Sequence, residues 1–179
     1  SRPDLGAVFA RPLFVDERGA AFDDATHKDY RIFDVENRSR GEWLRHFFYF
    51  GNALCHPTLL IRRSCYEAAG RYDPRLAQVP DLDMWIRLVS RFEIFVQAER
   101  VTRFRILDGQ RNASAARPEV VARDEWERER LLRHFLDLPA ALFREAFASD
   151  LVRIGCDADG DRRAQLARLA MDARGPFHR

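Results

Sequence analysis

Lysine is almost absent from this sequence: Lys28 is the only one, so 29 of the 30 basic residues are arginines. The planar arginine side chain binds phosphate and carboxylate groups well. A coding sequence rich in G and C also produces arginine, and that is the simpler explanation. The formal net charge is only +2, whereas binding of nucleic acid depends on a clear excess of positive charge. The composition therefore disfavours an arginine-rich nucleic-acid-binding module.

Cysteine is also scarce. Cys55, Cys65 and Cys156 are widely spaced and form neither a CxxC pair nor a zinc-ligand pattern. Such usage is typical of a reducing compartment. The sequence has no signal-peptide pattern and no apolar run near the roughly 18 residues that span a bilayer. We therefore expect a cytoplasmic protein, with peripheral association at the inner face of the membrane left open.

Several motifs that would identify a function are missing. The sequence contains no P-loop, GxGxxG, GxSxG or HExxH pattern and no RNA-binding signature. The acidic stretch DADGD at residues 157–161 resembles the start of an EF-hand calcium loop. The positions that an EF-hand fills with glycine and glutamate hold Arg162 and Arg168 instead. We expect a turn followed by a helix cap there, and no metal site.

The first part of the chain has the pattern of a mixed α/β domain. Residues 6–22 predict two short strands around the turn DERG, residues 23–40 a loop, and residues 58–62 a further strand. Ser39 is placed to cap the helix RGEWLRHFFYF, and Ser64 to cap a short helix that ends at Gly70. A helix over residues 81–91 precedes two more predicted strands, FEIFVQ and RVTRFRI.

From about Pro118 the pattern becomes helical and strongly charged. Three amphipathic segments follow one another, EVVARDEWERERLLRHFLDL, PAALFREAFASDLVRIG and DRRAQLARLAMDA. We therefore divide the chain into an α/β part, residues 1–116, and a helical tail, residues 117–179. Arginine alternates with acidic residues in the tail, which favours solvated helix faces.

The segment VPDLDMWIRL, residues 79–88, is the most informative candidate site. Asp81 and Asp83 follow Pro80 at a predicted helix start, where a carboxylate accepts backbone N–H groups and meets the positive end of the helix dipole. Helix capping alone explains one of the two. A carboxylate held in this way can also accept a proton from an attacking hydroxyl group. The residues by themselves leave both interpretations open.

The other candidates are less specific. In the segment GNALCHPT, His56 precedes a proline, which predicts an extended backbone, and Asn52 and His56 are placed to line a pocket at the end of a strand. A single histidine is more often structural. Arg103 and Arg105 alternate on a predicted strand and face the same side. That side is either exposed to solvent or binds phosphate.

Taken in order, these segments resemble the second half of a family 2 glycosyltransferase of the GT-A fold. Members of that family run through an asparagine, a strand of the type hPt-hhhRR, a short helix ending in GxYD, the motif EDYDLWLRL and strands ending in YR. The resemblance covers about residues 4–116, and its matching positions are Asn52, His56, Pro57, Arg62, Arg63, Gly70, Tyr72, Asp73, Asp81, Asp83, Trp85, Arg87 and Arg105.

The resemblance implies the acceptor-side half of a GT-A domain, a Rossmann-like α/β fold, followed by the helical tail. It implies an inverting transfer of a sugar from a nucleotide sugar to a hydroxyl group of a glycan or lipid-linked acceptor, in surface glycan synthesis, with Asp81 as base. Substrate-binding roles are implied for Asn52, His56, Asp83, Trp85, Arg87 and Arg105, with Asp83 the more structural of the two aspartates. We expect Mn²⁺ or Mg²⁺ in the full-length enzyme only, since the metal-binding DxD motif is absent here. By itself this fragment would be inactive, and an exposed sheet edge would favour a homodimer.

The sequence also departs from the family pattern. Pro80 stands where the family often has glutamate, and Leu107 stands where a histidine helps to hold the metal. No QxxRW motif follows, which disfavours a processive polymerase. These departures keep a second hypothesis open, a non-catalytic binding or regulatory domain derived from a glycosyltransferase half.

Overall fold

The structure, a computed structural model, describes residues 2, 4–22, 28–107, 117–157 and 159–172. It is a mixed α/β fold with a small three-stranded sheet and six α-helices over that part of the chain. The strands are β1 (Leu5–Val15), β2 (Leu60–Ile61) and β3 (Glu93–Arg105). The α-helices are α1 (Arg40–Phe50), α2 (Arg63–Ala69), α3 (Pro80–Val89), α4 (Pro118–Leu136), α5 (Ala140–Arg153) and α6 (Arg162–Asp172).

The sheet has the order β2-β1-β3. Strand β1 pairs antiparallel with β2 and parallel with β3, from Leu5 opposite Glu93 to Val15 opposite Arg105. The two predicted strands, residues 92–97 and 100–106, are a single strand, β3. Strand β3 has more residues than β1 between the pairs Phe9–Val96 and Pro12–Thr102. The register shifts there, as at a β-bulge, and β3 continues without a turn.

The predicted second strand of the first hairpin is wrong. Within residues 16–22, the described part of this segment, the single strand-like contact is an isolated bridge between Ala21 and Val15. The turn between them is closed by Asp16, whose carboxylate accepts hydrogen bonds from Arg18 N at 2.9 Å and Ala20 N at 2.8 Å. Part of the loop predicted at 23–40 is a 3₁₀ helix, Lys28–Phe33.

The helix starts divide into predicted and unpredicted ones. Ser39 forms the expected cap of α1 as part of a capping box with Glu42. Ser64 does not cap α2, because that helix already begins at Arg63 and has no side-chain cap. Its end at Gly70 is as predicted, with φ 81°. Helix α6 follows Asp161, whose carboxylate accepts from Ala164 N at 3.1 Å, so the DADGD segment ends in the expected cap.

The α/β part and the helical tail share one hydrophobic core. On α1, the ring of Phe48 lies with its centroid 5.2 Å from that of Phe135 on α4 and 5.1 Å from that of Phe147 on α5. Beside these rings, Arg45 of α1 forms a two-bond pair with the buried Asp150 of α5, at 2.6 and 2.9 Å. The tail therefore packs directly on the body. No helix in the described ranges is long and apolar enough to cross a membrane.

Candidate functional site

Helix α3 begins at Pro80, which fits the first helical position because proline has no N–H to donate. The residue before it, Val79, supplies no side-chain cap. Asp81 and Asp83 both lie in the first turn, as the sequence predicts, but their carboxylates have different surroundings.

Asp81 is held by the loop that follows α1. The side-chain amide of Asn52 donates from Nδ2 to Asp81 Oδ2 at 2.7 Å, and the backbone N–H of Leu82 donates to Oδ1 at 2.7 Å. Burial raises the pKa of Asp81, and the hydrogen bond from Leu82 and the positive charges near it, including Arg128, oppose that rise only in part. Asp81 is therefore an oriented carboxylate with a greater affinity for a proton than a solvated one.

The loop that carries Asn52 is fixed by backbone geometry. Asn52 Oδ1 accepts from Leu54 N at 2.9 Å, which orients the amide toward Asp81. Just before it, Gly51 ends α1 with φ 79° and ψ −150°, a backbone conformation that residues other than glycine rarely adopt. A Cβ atom at Gly51 would lie 2.2 Å from Arg128 Nη1, so this glycine also provides the space for that arginine of α4.

His56 lies near the same site and is exposed. It occupies the first position of a 3₁₀ helix, His56–Thr58, and not the extended backbone expected before a proline. Its Nε2 atom lies 2.9 Å from the Tyr72 hydroxyl group, and its ring meets that of Trp85 edge-on at 5.5 Å. Burial raises the pKa of Tyr72, which keeps the hydroxyl group protonated at neutral pH.

Trp85 is fully buried. Its ring packs edge-on against Phe9 with a centroid distance of 4.8 Å, and its exposed fraction is 0%. The indole ring is therefore part of the core beneath His56, and no face of it is open to a sugar ring. Among the described residues its Nε1 atom has no hydrogen-bond partner.

Asp83 belongs to a buried ion-pair cluster. Arg87 donates from Nε and Nη2 to Asp83 Oδ2 at 2.9 and 2.6 Å, and His134 Nε2 of α4 lies 2.7 Å from Oδ1. Burial by itself would raise the pKa of Asp83, but the hydrogen bonds from His134 and Arg87 outweigh it and lower that pKa. Arg87 also donates to the carbonyl oxygens of Ala69 and Arg71, so this cluster ties the end of α2 to α3.

Arg105 lies elsewhere in the fold. It is exposed, as is Arg103, and its Nη1 atom donates to the carbonyl oxygen of Glu17 at 3.2 Å. The segment that carries His56 contacts β1 at Ala10, through Thr58. The partner of Arg105 on β1 is Val15, five residues further along, or about 17 Å at the usual rise of a strand. The sequence pattern did not predict this separation of Arg105 from the segment that carries His56.

An open cavity of about 660 Å³ lies beside Tyr72. Its lining residues are Arg63, Tyr66, Glu67, Arg71 and Tyr72. The rings of Tyr66 and Tyr72 have centroids 6.3 Å apart. Aromatic rings with polar groups at the edge are a general feature of small-molecule sites. Tyr72 belongs both to this cavity and to the contact with His56, whereas Asp81 is not among the lining residues.

The sequence did not indicate three residues near this site, because they lie on the helical tail: Glu127, Arg128 and His134. In the sequence they are members of a charged amphipathic helix, which predicts a solvated face. The apolar spacing of α4 was the only available signal, since Glu127 and His134 lie close to its apolar positions Leu131 and Phe135.

The metal expected for the full-length enzyme finds no ligand set in this part of the protein. The described ranges contain no group of three His, Cys, Asp or Glu side chains that could hold an ion. Comparison of the chain with protein-family models, curated proteins and solved structures found no match.

Proposed function

We propose that this chain is the acceptor-side half of an inverting, GT-A-type glycosyltransferase, and that Asp81 is its catalytic base. The observation that carries the proposal is the state of Asp81: a carboxylate at the start of α3, oriented by Asn52 at 2.7 Å, whose pKa is raised by burial. A base must be held in place and must have a sufficient affinity for the proton that it takes.

The resemblance over residues 4–116 supports the same assignment, because Asp81 occupies the position of the family's base. The parallel pairing of β1 with β3 and the placement of α3 directly before β3 are compatible with an α/β transferase half. The cavity at Tyr66 and Tyr72 is the proposed acceptor site. Tyr72 links it to His56, whose Nε2 atom lies 2.9 Å from the Tyr72 hydroxyl group.

In the proposed reaction, a hydroxyl oxygen of the acceptor attacks the anomeric carbon of the donor sugar. Its proton passes to Asp81 as the new C–O bond forms. The bond from the anomeric carbon to the diphosphate breaks, and its electron pair leaves with the nucleoside diphosphate. Attack from the opposite face inverts the anomeric configuration. Asn52 keeps the carboxylate oriented, and His56 and Tyr72 contribute polar groups at the edge of the acceptor cavity.

The test compares Asp81→Asn with the wild type in the full-length parent, across a panel of nucleotide sugars. Asparagine keeps the size of the side chain but cannot take a proton, so we expect turnover to fall about 10²–10⁴-fold, the usual contribution of general-base catalysis. Donor binding should be unchanged. The control is Asp137→Asn, an exposed aspartate at the end of α4.

Turnover of Asp81→Asn within twofold of the wild type would reject the base assignment. Asp81 would then serve only to start α3, and a non-catalytic binding domain would be the better description.

A further inference from the structure

The start of α3 is held by a residue of the tail. Glu127 of α4 is 0% exposed, and its carboxylate accepts three consecutive backbone N–H groups, from Ala77 at 2.8 Å, Gln78 at 2.7 Å and Val79 at 3.1 Å. These N–H groups belong to the turn that leads into α3. Glu127 thus holds the N–H groups of Val79 and of the two residues before it, and so fixes the turn from which α3 starts.

A second contact from α4 lies one step further along α3. His134 is seven residues after Glu127, and residues seven apart lie on the same face of a helix. Its Nε2 atom meets Asp83 Oδ1 at 2.7 Å. One face of α4 therefore contacts the chain at residues 77–79 and again at Asp83, and Asp81 lies between these two points.

The charge of the buried Glu127 carboxylate is compensated within α4. The charge of Glu127 is balanced by Arg123, whose Nε atom donates to Oε1 at 2.6 Å. Burial by itself would raise the pKa of Glu127, but the hydrogen bonds from Ala77 and from Arg123 outweigh it and lower that pKa. The carboxylate is thus ionised at neutral pH, and hydrogen bonds to an ionised acceptor are about twice as strong as neutral ones.

We propose that Glu127 and His134 are positioning residues for Asp81, so that the helical tail is part of the catalytic apparatus. This inference rests on the proposed function, since it concerns the placement of the base. Displacement of a catalytic group by about 1 Å can cost on the order of 10²-fold in rate. The tail fixes residues 77–79, before Asp81, and the side chain of Asp83, after it. These two contacts restrict the position of the Asp81 carboxylate.

The first experiment uses Glu127→Gln in the full-length parent, because glutamine has the same size but only one acceptor oxygen for the three N–H groups. We expect kcat to fall at least tenfold while the KM for the donor stays within twofold. The matched control is Glu129→Gln, on the exposed face of the same helix, which should leave kcat within twofold. Glu127→Asp, which keeps the charge but shortens the side chain, should also lower kcat.

A double-mutant cycle separates positioning from general stabilisation. If Glu127 acts through Asp81, Glu127→Gln should cause no further loss in the Asp81→Asn background. Amide hydrogen exchange of residues 77–79 provides a readout without activity, and it should be faster in Glu127→Gln and unchanged in Glu129→Gln.

The outcomes distinguish this inference from the proposed function. An equal loss in both backgrounds, an unchanged kcat or unchanged exchange at residues 77–79 would overturn the positioning role while Asp81 remained the base. Full turnover of Asp81→Asn would instead reject the proposed function, and with it the catalytic meaning of the contacts, whatever the exchange data show.

Discussion

His134 Nε2 lies 2.7 Å from Asp83 Oδ1, and this contact joins α4 to the first turn of α3. The carboxylate is 1% exposed and is shared with Arg87. Buried pairs of this kind become strongly destabilising when one partner is removed, because the remaining charge stays buried without compensation.

We therefore expect Asp83→Asn to lower the free energy of unfolding by about 3 kcal/mol at pH 7. The native pKa of Asp83 is lowered from its ordinary value of 3.8, so its contribution is fully present above that value and is lost as the pH falls through the native pKa. Urea unfolding at pH 7, 5 and 3 should show a smaller acid-induced loss in the variant than in the wild type. Substitution of the exposed Asp34 by asparagine serves as control. The prediction would be contradicted if the free energy of unfolding had the same pH dependence in Asp83→Asn and in the wild type.

His46 provides a second pH-dependent contribution to stability, with the same direction but in a higher pH range. Burial, with a further contribution from Arg38, lowers its pKa from 6.5 to about 4. The unfolded chain therefore takes up a proton before the native protein does, and stability should decrease as the pH falls from 6.5 toward 4. In His46→Gln the loss between pH 7.5 and pH 5 should be smaller, measured by urea unfolding at each pH. A slope identical to that of the wild type would show that His46 is protonated equally in both states.

Gly51 and Gly19 form a matched pair for substitution by alanine. Both have positive φ, 79° and 87°, but a Cβ at Gly51 would meet Arg128 Nη1 at 2.2 Å, whereas nothing lies within 4 Å at Gly19. We expect Gly51→Ala to cost about 1–3 kcal/mol from the backbone and more from displacement of Arg128, and Gly19→Ala to show only a backbone cost of about 1–2 kcal/mol. Thermal unfolding would measure both. Equal costs would mean that Arg128 moves aside freely.

The shared core predicts how the α/β part behaves without the tail. Residues 1–116 alone would expose Phe48 and the other side chains that contact α4 and α5. We expect this fragment to bind a hydrophobic dye and to lose its near-UV circular dichroism while it retains helical signal. The full chain is the control. A cooperative urea transition of the fragment would instead show that the tail is dispensable for folding.

Local patterns in the sequence predicted the local structure well. The cap at Ser39, the glycine end of α2 and the helix after Pro80 each depend on a few neighbouring residues, and all three are present. Asp81 and Asn52 were chosen from separate segments, and the structure joins them by a hydrogen bond.

The remaining features depend on contacts between distant segments. Whether RVTRFRI forms a new strand or continues β3 is decided by the partner strand β1, which the local pattern does not contain. Glu127 resembled a solvated helix residue, because only the position of residues 77–79, some fifty residues earlier, gives its carboxylate three buried N–H donors. The burial of Trp85 likewise depends on Phe9, from the other end of the α/β part.

The parallel pairing of β1 with β3 has a consequence for synthesis of the protein. Strand β1 is synthesised before both of its partners, and the partner on one side begins only at Glu93. During that interval an apolar strand that includes Phe9 and Phe14 has no place to bury its side chains. Non-local strand pairing is slow because the loop must close first, and unpaired apolar strands aggregate readily. Until β3 has emerged and helices α4–α6 have closed over the core, these apolar side chains are open to non-native contacts.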